Sequence, residues 1–99
     1  MARFDVYGEP GGFGFLLDCQ ADLFRGLSTR FMVPLMPRQH APIAGARLNP
    51  IFQVEGMEVV MVTQFAGAVP VRELGERVMS LDVEQSAIMS ALDMLLTGY

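Results

Sequence analysis

Residues 81–99 read LDVEQSAIMSALDMLLTGY, and they are the only long stretch of the chain with a clear helical period. Asp82 followed by Gln85 three positions later is typical of a capping box and predicts a helix that begins near Val83. Apolar residues at spacings i, i+4, i+7 and i+8 form one stripe: Ile88, Leu92, Leu95 and Leu96. Because so short a helix is marginal alone, we expect this stripe to pack on the rest of the chain.

The end of the predicted helix is anionic and aromatic. Gly98 predicts a C-terminal cap, and Tyr99 follows with a ring and the terminal carboxylate. Helices usually offset the negative end of their dipole with Lys, Arg or His in the last turn; this one has none, and Asp93 adds negative charge. A cationic partner fits this end, preferably an arginine that stacks on Tyr99 and pairs with a carboxylate. The alternative interpretation is that the last three residues fray in solvent without a function.

Composition predicts one small domain over residues 1–99. The apolar fraction of 52% with eight Met is high for so small a body, which predicts that some apolar surface meets another subunit. Seven basic residues, all Arg, stand against eleven acidic ones and give a net charge of −4. Since phosphate backbones are bound by clustered cations, this balance argues against nucleic acid as a direct ligand.

The single cysteine and the single histidine offer little chemistry. Cys19 lies in an apolar run and is expected to be a buried small hydrophobe in a reducing compartment. His40 has no second His or Cys nearby, so we predict a solvated loop residue, no metal site and no cofactor.

The N-terminus lacks the apolar core of a signal peptide, and no apolar run approaches membrane-spanning length. We therefore expect a cytoplasmic protein with no membrane contact.

Strands and turns are predicted before the helix. Ile51–Val54 and residues 57–63 flank Glu55-Gly56 and predict a tight hairpin. Further strands are predicted at residues 4–7, 13–19 and 30–36. The last is expected to end near Pro34 and Pro37, because proline confines a strand to an edge or to its own end. Residues 8–14 predict a glycine-rich turn or hairpin loop without the Gly-Lys-Ser/Thr end of a phosphate-binding loop.

The other segments are less regular. Residues 21–26 predict a loop or one helical turn, residues 64–70 a bend, and residues 71–79 either a strand or a helix. About five strands thus precede one helix. The predicted fold class is mainly β, a small antiparallel barrel or sheet with one C-terminal α-helix docked on it.

Catalytic equipment is sparse, because catalysis usually needs converging titratable groups. The best enzymatic arrangement gathers Arg25, Thr29 and Arg30 around a phosphodiester. The alternative is that Arg30 is a structural or surface charge.

Several short segments resemble the CcdB family of plasmid and chromosomal toxins: DCQAD at 18–22, RFMVPL at 30–35, LNP at 48–50, VPV at 69–71, GE at 75–76, and the terminal helix ending in Gly98 and one bulky residue. The resemblance runs over essentially the whole chain. It implies an SH3-like barrel related to MazF and a homodimer. It also implies a toxin without catalytic activity, whose paired tails enter the DNA gyrase A subunit and trap the cleaved gyrase–DNA complex. The resemblance further implies a CcdA-like antitoxin that removes the toxin.

By position, the resemblance assigns gyrase binding to Leu23, Phe24, Leu96, Gly98 and Tyr99. Thr97 stands where the family has a tryptophan that stacks on a gyrase arginine. A threonine offers no ring, so a contact worth about 0.5–2 kcal/mol is lost. Our hypothesis is that Tyr99 replaces it from two positions later.

Two other functions stay open at this point. The MazF-type ribonucleases resemble CcdB in structure and cut RNA, and a chain that has lost toxicity would still bind antitoxin. Residues 8–14 are a possible antitoxin contact by analogy with the family.

Overall fold

Strand β3 (Thr29–Pro37) is the longest strand and the centre of the sheet in the computed structural model, which describes residues 1–12 and 14–99. The other elements are β1 (Asp5–Gly8), β2 (Phe15–Asp18), β4 (Ile51–Val54), β5 (Met57–Met61), β6 (Gly67–Pro70), β7 (Arg77–Ser80) and helix α1 (Gln85–Thr97). All strand pairs are antiparallel, in the order β4-β5-β3-β2-β1-β7, with β6 also paired to β3. The predicted fold class, mainly β with a C-terminal helix, is confirmed.

The third strand ends at Pro37, as predicted, but the prediction that Pro34 marks an edge or an end is wrong. One side of β3 pairs with β2; the other pairs first with β6, from Thr29 to Met32, and then with β5, from Leu35 onward. Pro34 lies between the part of β3 that pairs with β6 and the part that pairs with β5. On this side of β3, the Pro34 carbonyl accepts the Val62 N–H at 2.9 Å. Because the N–H and C=O of one strand residue point the same way, the missing donor falls where the partner changes.

The hairpin between β4 and β5 is confirmed. Val54 pairs with Met57 across a two-residue turn. Glu55 and Gly56 both have positive φ, 52° and 76°. This is the turn whose twist matches that of antiparallel strands, and it fixes the register of the pair.

The described residues form seven strands where about five were predicted. The bend predicted over residues 64–70 contains a 3₁₀ turn (Thr63–Phe65) and β6. Residues 71–79, open between strand and helix, form a 3₁₀ turn (Val71–Glu73) and most of β7. Glycine and proline lower the strand propensity of β6, and its pairing with β3 overrides that local signal. The first residue of the strand predicted at 13–19, Phe13, lies outside the described residues, and β2 begins at Phe15.

Helix α1 begins later than predicted, and no capping box forms. A 3₁₀ turn (Asp82–Glu84) occupies the predicted first turn, and α1 follows at Gln85 without a side-chain cap. The Asp82 N–H donates to Ser80 Oγ at 3.2 Å, and the Glu84 N–H donates to the Leu81 carbonyl at 2.9 Å. These bonds satisfy amides that the capping box would have served.

The two faces of the sheet carry two apolar clusters. The main core lies between the sheet and α1 and includes Val6, Leu17, Val33, Phe52 and Ile88. A smaller cluster on alternate positions of the same strands consists of Tyr7, Leu16 and Met32, with Val69 and Leu74 packed against it. Helix α1 therefore packs on one face of the sheet only. Within the described residues, no helix has both the length and the apolar character needed to cross a membrane.

Candidate functional site

The predicted apolar stripe of α1 is only half buried. Ile88 and Leu92 are buried, together with Ala91, whereas Leu95 is 40% exposed and Leu96 is 73% exposed. The two buried large side chains are worth about 3–6 kcal/mol, which holds the first turns of the helix on the sheet. The last turn instead presents its apolar side chains to solvent.

The C-terminal cap predicted at Gly98 is confirmed. Gly98 has a φ of 79°, and its N–H donates to the Met94 carbonyl at 3.0 Å. Thr97 shapes the same end, because its Oγ1 donates to the Asp93 carbonyl at 2.7 Å and accepts the Tyr99 N–H at 3.3 Å. These bonds end the helix at Thr97 and satisfy carbonyls of its last turns. Tyr99 follows with 85% of its surface exposed.

The helix end is electrostatically negative. Its last turn contains no basic residue, so its unpaired carbonyls keep the negative end of the dipole uncompensated. Asp93 is exposed one turn before the end of α1 and adds a full negative charge. Together with the exposed ring of Tyr99, these groups suit a planar cation such as a guanidinium.

A second exposed apolar surface lies on residues 21–27, which we call the apolar loop. It begins with a 3₁₀ turn (Asp22–Phe24). Leu23 is 85% exposed and Phe24 51% exposed, and Leu27 is also exposed. In the described part of the chain, no hydrogen bond or ion pair joins this loop to the end of α1. Leu23 and Phe24 on one side, and Leu96, Gly98 and Tyr99 on the other, are thus held by different elements.

Arg30 is not part of a surface site. Its side chain is fully buried in an ion pair with Asp18: Nε donates to Asp18 Oδ2 at 2.8 Å, and Nη2 lies 2.6 Å from the same oxygen. Burial raises the pKa of the Asp18 carboxyl, while the hydrogen bonds from Arg30 and from the Gln20 N–H oppose that rise. Arg25 is exposed on the apolar loop and Thr29 is half-buried. The arrangement of these three residues around a phosphodiester is therefore not formed, and Arg30 is a structural charge.

Gln20 is a residue to which the sequence patterns assigned no role. Its Nε2 donates to the Phe24 carbonyl at 2.9 Å, and its Oε1 accepts the Phe31 N–H at 3.0 Å. Its own N–H donates to Asp18 Oδ1 at 3.0 Å. Its sequence signals are its place in the DCQAD segment at 18–22 and the alternation of Asp18, Gln20 and Asp22 in an otherwise apolar stretch.

Cys19 is buried, as predicted, and burial raises the pKa of its thiol to about 12. His40 is exposed on a 3₁₀ turn (Arg38–His40). In residues 1–12 and 14–99, no group of three or more His, Cys, Asp or Glu side chains is arranged to hold a metal ion.

A groove of about 670 Å³ lies beside the start of the glycine-rich segment. Its floor is apolar, formed by Leu16, Val69 and Leu74, and its rim includes Glu9 and Arg72. It lies over the smaller apolar cluster.

Comparisons with known proteins agree with this architecture. The fold is similar to that of the solved structure of Mycobacterium tuberculosis toxin MazF-mt6, with a TM-score of 0.73 and 14% sequence identity, covering 92% of this chain and 93% of that one. At this identity the likeness concerns the fold alone. No curated protein matches the sequence. The family model described as CcdB protein matches residues 3–98. Since that match spans nearly the whole sequence, the chain belongs to the CcdB family.

Proposed function

We propose that this protein poisons DNA gyrase by binding its A subunit through the end of α1 and so trapping the cleaved gyrase–DNA complex. Membership of the CcdB family supports a toxin of a toxin–antitoxin system. The observation that carries the more specific proposal is the exposed helix end, where an aromatic ring follows a negatively charged last turn that has no basic residue.

Tyr99 is the proposed anchor. Its ring is exposed and follows the Gly98 cap, so an arginine of the partner has access to the ring face. Asp93 and the helix carbonyls supply the negative charge that such a cation meets. A contact of this kind is worth about 0.5–2 kcal/mol, which corresponds to about 2- to 30-fold in affinity. Tyr99 thereby takes the role that the family gives to the residue at position 97.

Apolar contacts supply the remaining affinity in this proposal. Leu96 projects from the last turn of α1, and Leu23 and Phe24 project from the apolar loop. Large exposed apolar side chains in a small domain are typical of a protein-binding surface. The function needs no bond-making by this chain, and the buried ion pair of Arg30 agrees with that.

We also propose a homodimer and a CcdA-like antitoxin as partners. Met94 and Leu95, on the last turns of α1, stay partly exposed in one chain and suit contact with a second copy. The apolar groove next to Glu9 is a candidate antitoxin surface, because it borders the segment that corresponds by analogy to an antitoxin contact.

The test is a gyrase cleavage assay with purified protein and supercoiled DNA. The full chain is expected to accumulate linear, gyrase-linked DNA, and deletion of residues 97–99 is expected to abolish this. The deleted residues are exposed, so the melting temperature should stay nearly unchanged. Val83→Ala is the matched control, because Val83 is an exposed apolar residue before the other end of α1. Full poisoning by the truncated chain would rule out the proposed mechanism.

Two further measurements separate the alternatives. Incubation with RNA tests a MazF-like ribonuclease, for which cleavage by the full chain would be required. Expression in cells without antitoxin tests a non-toxic homologue, because growth would then continue.

A further inference from the structure

Gln20 connects a buried charge pair to an exposed binding surface. On its inner side, the Gln20 N–H donates to Asp18, which is fully buried against Arg30. On its outer side, the Gln20 amide bridges the Phe24 carbonyl and the Phe31 N–H. One half-buried side chain therefore joins the apolar loop to β3.

The apolar loop has few other attachments. Its backbone makes three short-range bonds to carbonyls of the loop itself: from the Phe24 N–H to Ala21, from the Arg25 N–H to Asp22 and from the Leu27 N–H to Phe24. Asp22 Oδ1 accepts the Arg3 N–H at 2.8 Å and fixes the start of the loop. None of the residues of its 3₁₀ turn is buried, so apolar packing contributes little to its shape. The Gln20 amide is the attachment at the middle of the loop.

We propose that Gln20 is a positioning residue that holds the apolar loop in the shape in which Leu23 and Phe24 meet a protein partner. This inference rests on the proposed function, in which that partner is the gyrase A subunit. The buried Asp18–Arg30 pair fixes the backbone at Gln20, and the Gln20 amide in turn fixes the carbonyl of Phe24. A loop that is ordered before binding loses less conformational entropy in the complex, and this raises affinity without a new contact.

The first experiment measures loop order in the free protein. Gln20→Met keeps the length of the side chain and removes both of its amide bonds. We expect faster hydrogen exchange at the amides of Phe24, Arg25 and Leu27, with the amides of β5 unchanged. Gln53→Met is the control, because Gln53 is exposed on β4. Unchanged exchange in the loop would overturn the positioning role whatever the partner is.

The second experiment is a double-mutant cycle with the gyrase A subunit. Gln20→Met is expected to weaken binding by about 2- to 10-fold in the otherwise unchanged protein. In a chain that already carries Leu23→Ala and Phe24→Ala, the same substitution is expected to have no further effect. An equal loss in both backgrounds would overturn the proposal, because it would show that Gln20 acts through general stability. Gln20→Glu is the second variant: it keeps an acceptor for the Phe31 N–H and places a carboxylate against the Phe24 carbonyl, so it too should loosen only the loop.

The two proposals fail in different ways. If the unaltered chain does not bind the gyrase A subunit, the proposed function fails, and hydrogen exchange still decides whether Gln20 orders the loop. If the chain binds gyrase and the cycle is additive, the proposed function stands and the positioning role fails.

Discussion

Replacing Arg30 with methionine is expected to destabilise the protein strongly, although the side-chain volume changes little. Arg30 and Asp18 are both fully buried. Nε and Nη2 of Arg30 lie 2.8 Å and 2.6 Å from Asp18 Oδ2. Arg30→Met leaves the Asp18 carboxylate buried with its Gln20 N–H bond and without a counter-charge. Removing one partner of such a pair typically costs about 3–5 kcal/mol.

That cost is large compared with the total free energy of unfolding. A domain of 99 residues is expected to have a free energy of unfolding of about 5–15 kcal/mol. At about 4–8 °C per kcal/mol, the melting temperature should fall by at least about 12 °C. Urea denaturation and thermal melting followed by circular dichroism measure both quantities.

The matched variant is Asp18→Asn combined with Arg30→Met. It removes both charges, while the asparagine oxygen still accepts the Gln20 N–H. We expect it to recover most of the stability lost by Arg30→Met alone, because a neutral pair carries no desolvation penalty for charge. A loss below about 1 kcal/mol for Arg30→Met, or a double variant as unstable as the single one, would refute this account of the pair.

The stability lost in Arg30→Met should depend on pH in a definite direction. Burial raises the pKa of Asp18, and in Arg30→Met the opposing effect of the guanidinium is removed. A carboxyl whose pKa is raised in the folded state favours folding when it is protonated, so stability is lost as pH rises. The deficit of Arg30→Met relative to the unaltered protein should therefore shrink from about pH 7 to about pH 5. Because Arg30 variants are expected to be unstable, any loss of activity in such a variant must first be corrected for the unfolded fraction.

Other substitutions separate buried from exposed positions. Leu92→Ala should cost about 2–5 kcal/mol in urea denaturation, whereas Leu96→Ala, one turn later on α1, should stay within about 0.5 kcal/mol. Cys19, whose thiol pKa is raised to about 12, should react slowly with a disulfide reagent near pH 8 and rapidly once urea unfolds the chain. Gly75→Ala would place a Cβ 2.6 Å from a carbonyl oxygen of β1 and should cost about 1–3 kcal/mol, while Gly26→Ala enters open space and should be neutral.

The sequence predicts the type of each major element better than its limits. The helical period identifies which residues of α1 share a face, and Ile88 and Leu92 are buried as expected. The helical period does not show how far along α1 the sheet reaches. It therefore could not predict that Leu95 and Leu96 remain exposed. Likewise, a proline in β3 signals a missing donor, but only the tertiary arrangement shows that the partner strand changes at Pro34.

The candidate site is predicted unevenly for a similar reason. The cap at Gly98 follows from local chemistry, and the structure contains it. Arg30 has an ambiguous sequence signal, because its partner, Asp18, is twelve positions away on another strand. Gln20 has almost no signal, since its role consists of bonds to the backbone of Phe24 and Phe31. Contacts between side chains and distant backbone groups leave little trace in a residue pattern.

In the proposed function, the protein acts by binding its partner through the ring at the end of α1. The affinity of Tyr99→Leu for the gyrase A subunit, measured by calorimetry beside Tyr99→Phe and the unaltered chain, tests this most directly. We expect Tyr99→Leu to weaken binding by about 2- to 30-fold without changing the melting temperature, while Tyr99→Phe binds nearly as well as the unaltered chain. Equal affinity of all three proteins would contradict it.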